Sequence, residues 1–265
     1  MLHVLQNESI RVEVSAHGAE LQSIFHKGHQ LEYLWNGDPA VWARKAPVLF
    51  PIVGKLKDNQ FTYQGKSYTL PQHGFARDRF FQVIHSSDHE ITFRLHEDEE
   101  TLKQYPFAFI LDIQYSIKGN TVQIMYDVCN SSQTKDMFFS IGAHPGFRCP
   151  LVDTEAFEEY YLEFEQEEAF DRVLLDGGLR GTENESVALD GNKLPLSADL
   201  FKVKDAIVLH NMKSERISLR STQHTKGIHF NFSNYPWFGI WSKPGPFICL
   251  EPWMGVADSI NSNQQ

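Results

Sequence analysis

The chain has 265 residues, 42% of them hydrophobic, with 20 Phe, 9 Tyr and 5 Trp, enough to build one large core. Its 34 Asp and Glu outnumber 24 Lys and Arg, and the net charge of −10 excludes the basic face that a nucleic-acid backbone or an anionic membrane surface requires. Three widely spaced cysteines, Cys129, Cys149 and Cys249, form neither a disulfide framework nor a zinc signature. The sequence does not open on a basic segment followed by an apolar run, and no apolar stretch approaches the ~20 residues of a membrane helix. A cytoplasmic protein of one domain, residues 1–265, is therefore expected.

Period-two alternation recurs along the chain. Ile10, Val12 and Val14 alternate with Arg11 and Glu13. Ile91, Phe93 and Leu95 repeat the pattern, and Asp98 to Gln104, ahead of Tyr105-Pro106, predicts one short helix. Phe109, Leu111, Ile113, Tyr115 and Ile117, then Gly119-Asn120, then Val122, Ile124, Tyr126 and Val128, read as a hairpin. An acidic stretch at 153–161 suggests a second short helix, inside a turn-rich insertion (about residues 153–200) expected at the periphery. Ile217 and Leu219, then Ile228, Phe230 and Phe232, close the series of strands. Strands do not alternate with helices, so the reading is all-β: a large antiparallel β-sandwich with very little helix.

Four segments make poor plain strands and are the informative ones. In Trp42 to Gly54, Arg44 precedes an apolar run with two prolines, either a buried edge with a surface Arg or part of a site. In Leu70 to Asp78, His73 and Arg77 flank Gly74 in a tight loop, which could equally be a turn with a solvated Arg. In Phe138 to Phe147, His144 sits between small residues and Pro145-Gly146, presented rather than packed. In Trp237 to Trp253, Glu251 ends an apolar strand, and a carboxylate desolvated there becomes a stronger base. Its bland alternative is a carboxylate bonded to backbone amides. His96-Glu-Asp-Glu-Glu lacks the second His of a zinc-protease motif, and His224 and His229 face opposite sides of a strand. Neither a phosphate loop, a nucleophile elbow nor a dinucleotide fingerprint is present.

His73-Gly-Phe-Ala-Arg77, His144-Pro-Gly-Phe147 and Cys249-Leu-Glu251-Pro-Trp253, in this order, resemble the aldose 1-epimerase (galactose mutarotase-like) family. Tyr105-Pro-Phe107 and Asn130 fit as well. The LacX-type branch is the most similar, with hexose-6-phosphate mutarotases as near relatives. The resemblance implies a β-supersandwich, no cofactor and no metal. It implies His144 as general acid, Glu251 as general base, and His73, Arg77 or Arg44, and Asp205 as sugar ligands. The partner it implies is a small sugar or sugar phosphate, with a free aldose placed ahead of a 6-phosphate because of the net charge. A non-catalytic sugar-binding module on the same fold is the rival reading. Trp35 and Trp241 are candidate sugar platforms, read first as core. The sequence assigns no oligomeric state.

Overall fold

The computed structural model describes residues 1–202, 205–243 and 246–264. Lys204, beside Asp205, and Pro244-Gly245, within the fourth segment, lie outside them. Antiparallel strands dominate, arranged in three four-stranded sheets, one eight-stranded sheet and a two-stranded ribbon. The fold is an antiparallel β-sandwich with sparse helix, as the alternation of the sequence requires. Among the described residues, no helix is long and apolar enough to cross a membrane.

The expected hairpin forms between Phe109–Lys118 and Thr121–Asn130, with Lys118 opposite Thr121 across the Gly119-Asn120 turn. Phe109, Leu111, Ile113, Tyr115 and Ile117 all point into the core, as the period of two requires. Tyr115 is a large apolar body with a polar tip, and its hydroxyl donates to the Ala19 carbonyl at 2.7 Å in a dry environment. The predicted helix is Glu99–Gln104. Asp98 caps it by accepting from the Thr101 N–H, while the Thr101 hydroxyl accepts from the Asp98 N–H.

Residues 153–200 depart from the sequence reading. In place of a helix at 153–161 there is one 3₁₀ turn, Phe157–Glu159, that leads straight into the strand Tyr160–Phe164. Tyr160, Leu162 and Phe164 are each at most 1% exposed and pack with Leu194 and Leu196 in the principal core. Their strand pairs with Arg216–Ser221 on one side and Lys193–Pro195 on the other. The region is acidic in sequence yet contributes to the core, and one of its carboxylates, Glu155, is itself largely buried beside Tyr160 and His224. A short helix, Asp199–Lys202, adds to it.

The eight-stranded sheet positions the site. Its order is Leu179–Ser186, Asp171–Asp176, Ile207–His210, Trp237–Trp241, Phe247–Met254, Ile141–Ala143 and Val48–Leu49, with Gly146–Arg148 also paired to Phe247–Met254. The strand Phe247–Met254 is buried on both faces up to its last residue. Ile248 and Leu250 face the principal core. Alternation sends Phe247, Cys249, Glu251 and Trp253 to the other face.

Tyr115→Phe removes the buried hydroxyl and leaves the Ala19 carbonyl without its donor. The expected loss is about 1–3 kcal/mol of folding free energy, read as a lowered urea midpoint at unchanged slope. An unchanged midpoint would show that the bond contributes nothing net.

Candidate active site

Glu251 lies in mid-strand, opposite Gly239. Two residues on, Trp253 lays its indole across that glycine, where a Cβ would stand 2.6 Å from the ring. Gly142, opposite Trp253 on the other side, is equally tight at 2.8 Å. The two glycines thus make the room in which Trp253 lies next to Glu251. The Glu251 residue is 1% exposed.

His144 leaves the neighbouring strand just before Pro145, its backbone N–H bound to the Pro47 carbonyl. Its Nε2 stands 3.2 Å from Glu251 Oε2. The approach is not aligned as a hydrogen bond, and Glu251 Oε2 and His144 Nδ1 have no hydrogen-bond partner among the described residues. The imidazole is framed by Trp42, Trp241 and His73, with ring centroids at 5.0, 5.5 and 5.7 Å.

His73 is held by an exchange with Gly54: its N–H donates to the Gly54 carbonyl, and the Gly54 N–H donates to its Nδ1 at 3.1 Å. A ring nitrogen that accepts is unprotonated, so in the neutral ring the proton sits on Nε2. The loop has left-handed backbone at both His73 (φ 65°) and Gly74 (φ 70°). At Gly74 a Cβ would lie 2.2 Å from the Phe50 carbonyl oxygen, so only glycine fits.

The two arginines meet over Asp78. Arg44 Nη2 donates to Asp78 Oδ1 at 2.8 Å, Arg77 Nε is 3.8 Å from Oδ2, and Arg77 Nη2 donates to the Gln72 carbonyl at 2.6 Å. Arg77 therefore also braces the residue before His73. Asp205 is exposed and accepts from the Trp241 indole N–H at 2.8 Å, which ties it to the ring beside His144. The structure thus brings His73, His144, Glu251 and Asp205 together, with Arg44 and Arg77 joined on the His73 side. Of the two tryptophans read first as core, Trp35 is core at 2% exposure, whereas Trp241 borders the site. Sequence reasoning gave no role to Trp42, whose carbonyl accepts from the Trp35 indole, nor to Cys249 and Trp253. An apolar strand hides its alternation when both faces are buried.

Burial pushes the Glu251 pKa well up; the Trp253 indole opposes this, though its N–H makes no well-aligned bond, and the charge of Asp205 adds to it. Burial pulls His144 down to about 3, its own backbone opposing and Arg77 and Arg44 assisting. His73 is lowered by burial, then by His144, Arg77 and Arg44. The pair at the centre therefore prefers to be a neutral carboxylic acid beside a neutral imidazole. Carboxylate plus imidazolium holds the same one proton in the other arrangement. His144, Cys249 and Glu251 also each offer one metal-ligating atom within 4.8 Å of the others.

The aldose 1-epimerase family model matches residues 1–263. The chain belongs to the aldose 1-epimerase family. It is 35% identical to the plasmid-encoded protein LacX of Lactococcus lactis subsp. lactis over 97% of this chain and 88% of that protein. Among solved structures, a galactose mutarotase related enzyme from Lactobacillus acidophilus is similar at a TM-score of 0.95 and 35% identity, over 100% of this chain and 89% of that one. A galactose mutarotase-like protein from Lactobacillus casei ATCC 334 follows at 0.92 and 34%, over 99% and 90%. As a member of the family, the chain is an isomerase of the general aldose-epimerase type.

His144 should show the nitrogen chemical shifts of a neutral ring down to about pH 5 when labelled histidine is followed by NMR. A His lowered from 6.5 to about 3 binds fewer protons folded than unfolded between those values. Its contribution to stability is complete above 6.5 and is lost as pH falls through that window. An imidazolium shift at pH 6 would show instead that the pair rests as an ion pair.

Proposed function

We propose that this protein interconverts the α and β anomers of an aldose by opening and reclosing its ring, with Glu251 as general base and His144 as general acid. The observation that carries the reading is the 3.2 Å approach of His144 and Glu251, far apart in sequence, with Oε2 and Nδ1 unpaired in a dry site. Buried polar atoms are nearly always paired, so unpaired ones at a convergence of acid and base are what a ligand's hydroxyls would complete.

In its charged arrangement the pair does the chemistry. The Glu251 carboxylate takes the proton from O1 while the His144 imidazolium gives one to the ring oxygen. The O1 electrons form the aldehyde C=O as the bond from C1 to the ring oxygen breaks. The pair is now neutral, the form that burial favours, and the open-chain aldehyde turns about C1–C2. Reclosure returns the proton of the released hydroxyl to His144, and Glu251 gives its proton to O1 on the other face. Ring opening thus discharges two buried ions, which returns the cost of having formed the charged arrangement from the neutral one.

His73 Nε2–H, Asp205 and the arginines supply polar groups for the sugar hydroxyls, and Trp42 and Trp241 supply flat apolar faces. Arg44 and Arg77 share the carboxylate of Asp78, so part of their charge is already neutralised. This supports a free aldose as substrate over a hexose 6-phosphate.

Glu251→Gln and His144→Asn should each reduce the acceleration of mutarotation ~10²–10⁴-fold, the usual worth of a positioned acid or base, with an unchanged circular dichroism spectrum. The measurement is polarimetry on a freshly dissolved pure anomer. Near-wild-type rates in both variants would remove the role assignment, and a wild type that binds sugar without accelerating would make this a binding module. For the substrate, glucose and galactose are compared with their 6-phosphates at low and raised salt. Free sugars should turn over at least as well, without salt dependence. A phosphate preference that salt weakens and Arg44→Ala or Arg77→Ala abolishes would reverse the choice.

A further inference from the structure

The side chain that the proposed reaction leaves unused is Cys249. It sits two residues before Glu251, so strand alternation puts its thiol on the same face as the carboxylate. It is fully buried, against Trp35 and Phe247. Among the described residues, His144, Cys249 and Glu251 are the one group of three or more such side chains whose donor atoms converge, all within 4.8 Å.

We propose that this site binds a thiophilic divalent cation, Zn²⁺ or Cd²⁺, through the His144 imidazole, the Cys249 sulfur and the Glu251 carboxylate, and that the cation inhibits the enzyme. Nitrogen, sulfur and oxygen together are a borderline-soft donor set, suited to Zn²⁺ rather than Mg²⁺ or Ca²⁺. In a tetrahedral zinc site, ligand bonds of about 2.0–2.3 Å put neighbouring donors roughly 3.3–3.6 Å apart. The His144 and Glu251 atoms already stand at 3.2 Å. The sulfur, within 4.8 Å of both, has to close by ~1.3 Å or less, within the reach of a side-chain adjustment. Three protein donors would leave a fourth position for water. On binding, the thiol proton and the one proton that the His144–Glu251 pair holds at rest both pass to solvent, and no electron is transferred. Inhibition follows because the electron pairs given to the metal are those that would take protons from the sugar, and because the cation stands where O1 must lie. The inhibition, though not the binding, rests on the proposed mutarotase reading.

The full chain, with thiols reduced, is titrated with Cd²⁺ while the near-ultraviolet absorption of a cadmium–thiolate bond is followed. One equivalent should develop the band in the wild type and in Cys129→Ser, which lacks the exposed thiol. Cys249→Ser or Cys249→Ala should lose it, and saturating sugar should weaken cadmium binding. In the polarimetric assay, Zn²⁺ should slow the wild type competitively with sugar and reversibly on addition of EDTA. Cys249→Ser, measured against its own metal-free rate, should need at least ~10-fold more Zn²⁺, since removing even an outer-shell partner costs a metal site that much. A band that persists without Cys249, one that vanishes in Cys129→Ser, none in the wild type, or faster turnover with Zn²⁺ would overturn the proposal. If the protein accelerates no sugar, the cadmium titration still reads the site, so the two failures are told apart.

Discussion

A carboxylate held out of water in the middle of a strand is the constraint around which this molecule is arranged. Among the described residues, no lysine or arginine forms an ion pair with Glu251; its one cationic candidate is His144, which burial itself holds neutral. Carrying a charge there uncompensated would cost several kcal/mol, so the group keeps its proton and the imidazole goes without. Much of the local sequence serves that arrangement. Gly239 and Gly142 are small so that Trp253 can lie flat beside the acid, and Trp42 and Trp241 flank the imidazole, leaving it little contact with solvent.

Strands alone do not bring the remaining groups to this point. His73 and Asp205 both occupy left-handed backbone, at φ 65° and 56°, which non-glycine residues seldom adopt. Each has a bond that holds it: the Gly54 exchange for His73, and the Trp241 indole for Asp205. Strain of this kind, held by specific partners, is common where geometry is set for a ligand rather than for stability. Arg77 belongs to the same scaffold, since its bond to the Gln72 carbonyl clamps the loop that carries His73.

The sequence made some of this legible and hid the rest for identifiable reasons. The hairpin of Phe109–Lys118 and Thr121–Asn130 has one buried and one solvated face, so its alternation is visible. The helix at Glu99–Gln104 carries its own cap. The strand Tyr160–Phe164 was hidden behind the acidic residues of the turn that precedes it, and so read as helix and periphery. In the candidate site, His73, His144 and Glu251 were exposed to reading because polar residues in glycine, proline and aromatic surroundings break the strand pattern. Cys249 and Trp253 offered no such break: in a strand buried on both faces, an apolar residue on the site side looks like one on the core side. Trp42 was silent because its role depends on the fold of a loop far from His144 in sequence.

The same dryness that makes the pair neutral gives the proposed chemistry its direction. In water, moving a proton from a carboxylic acid to an imidazole is favourable, and an exposed Glu–His pair would sit as ions. Inside this sheet the two arrangements are brought closer in energy, because desolvation penalises both ions while their mutual attraction at 3.2 Å offsets part of that penalty. A sugar that hydrogen-bonds the unpaired Oε2 and Nδ1 would stabilise the charged arrangement at the moment it is needed. The open-chain aldehyde would let the pair relax to neutrality again. A surface pair has no such swing to exploit, since water holds it charged throughout. The buried position of Glu251, costly for folding, is thus what makes a reversible two-proton exchange accessible to two ordinary side chains.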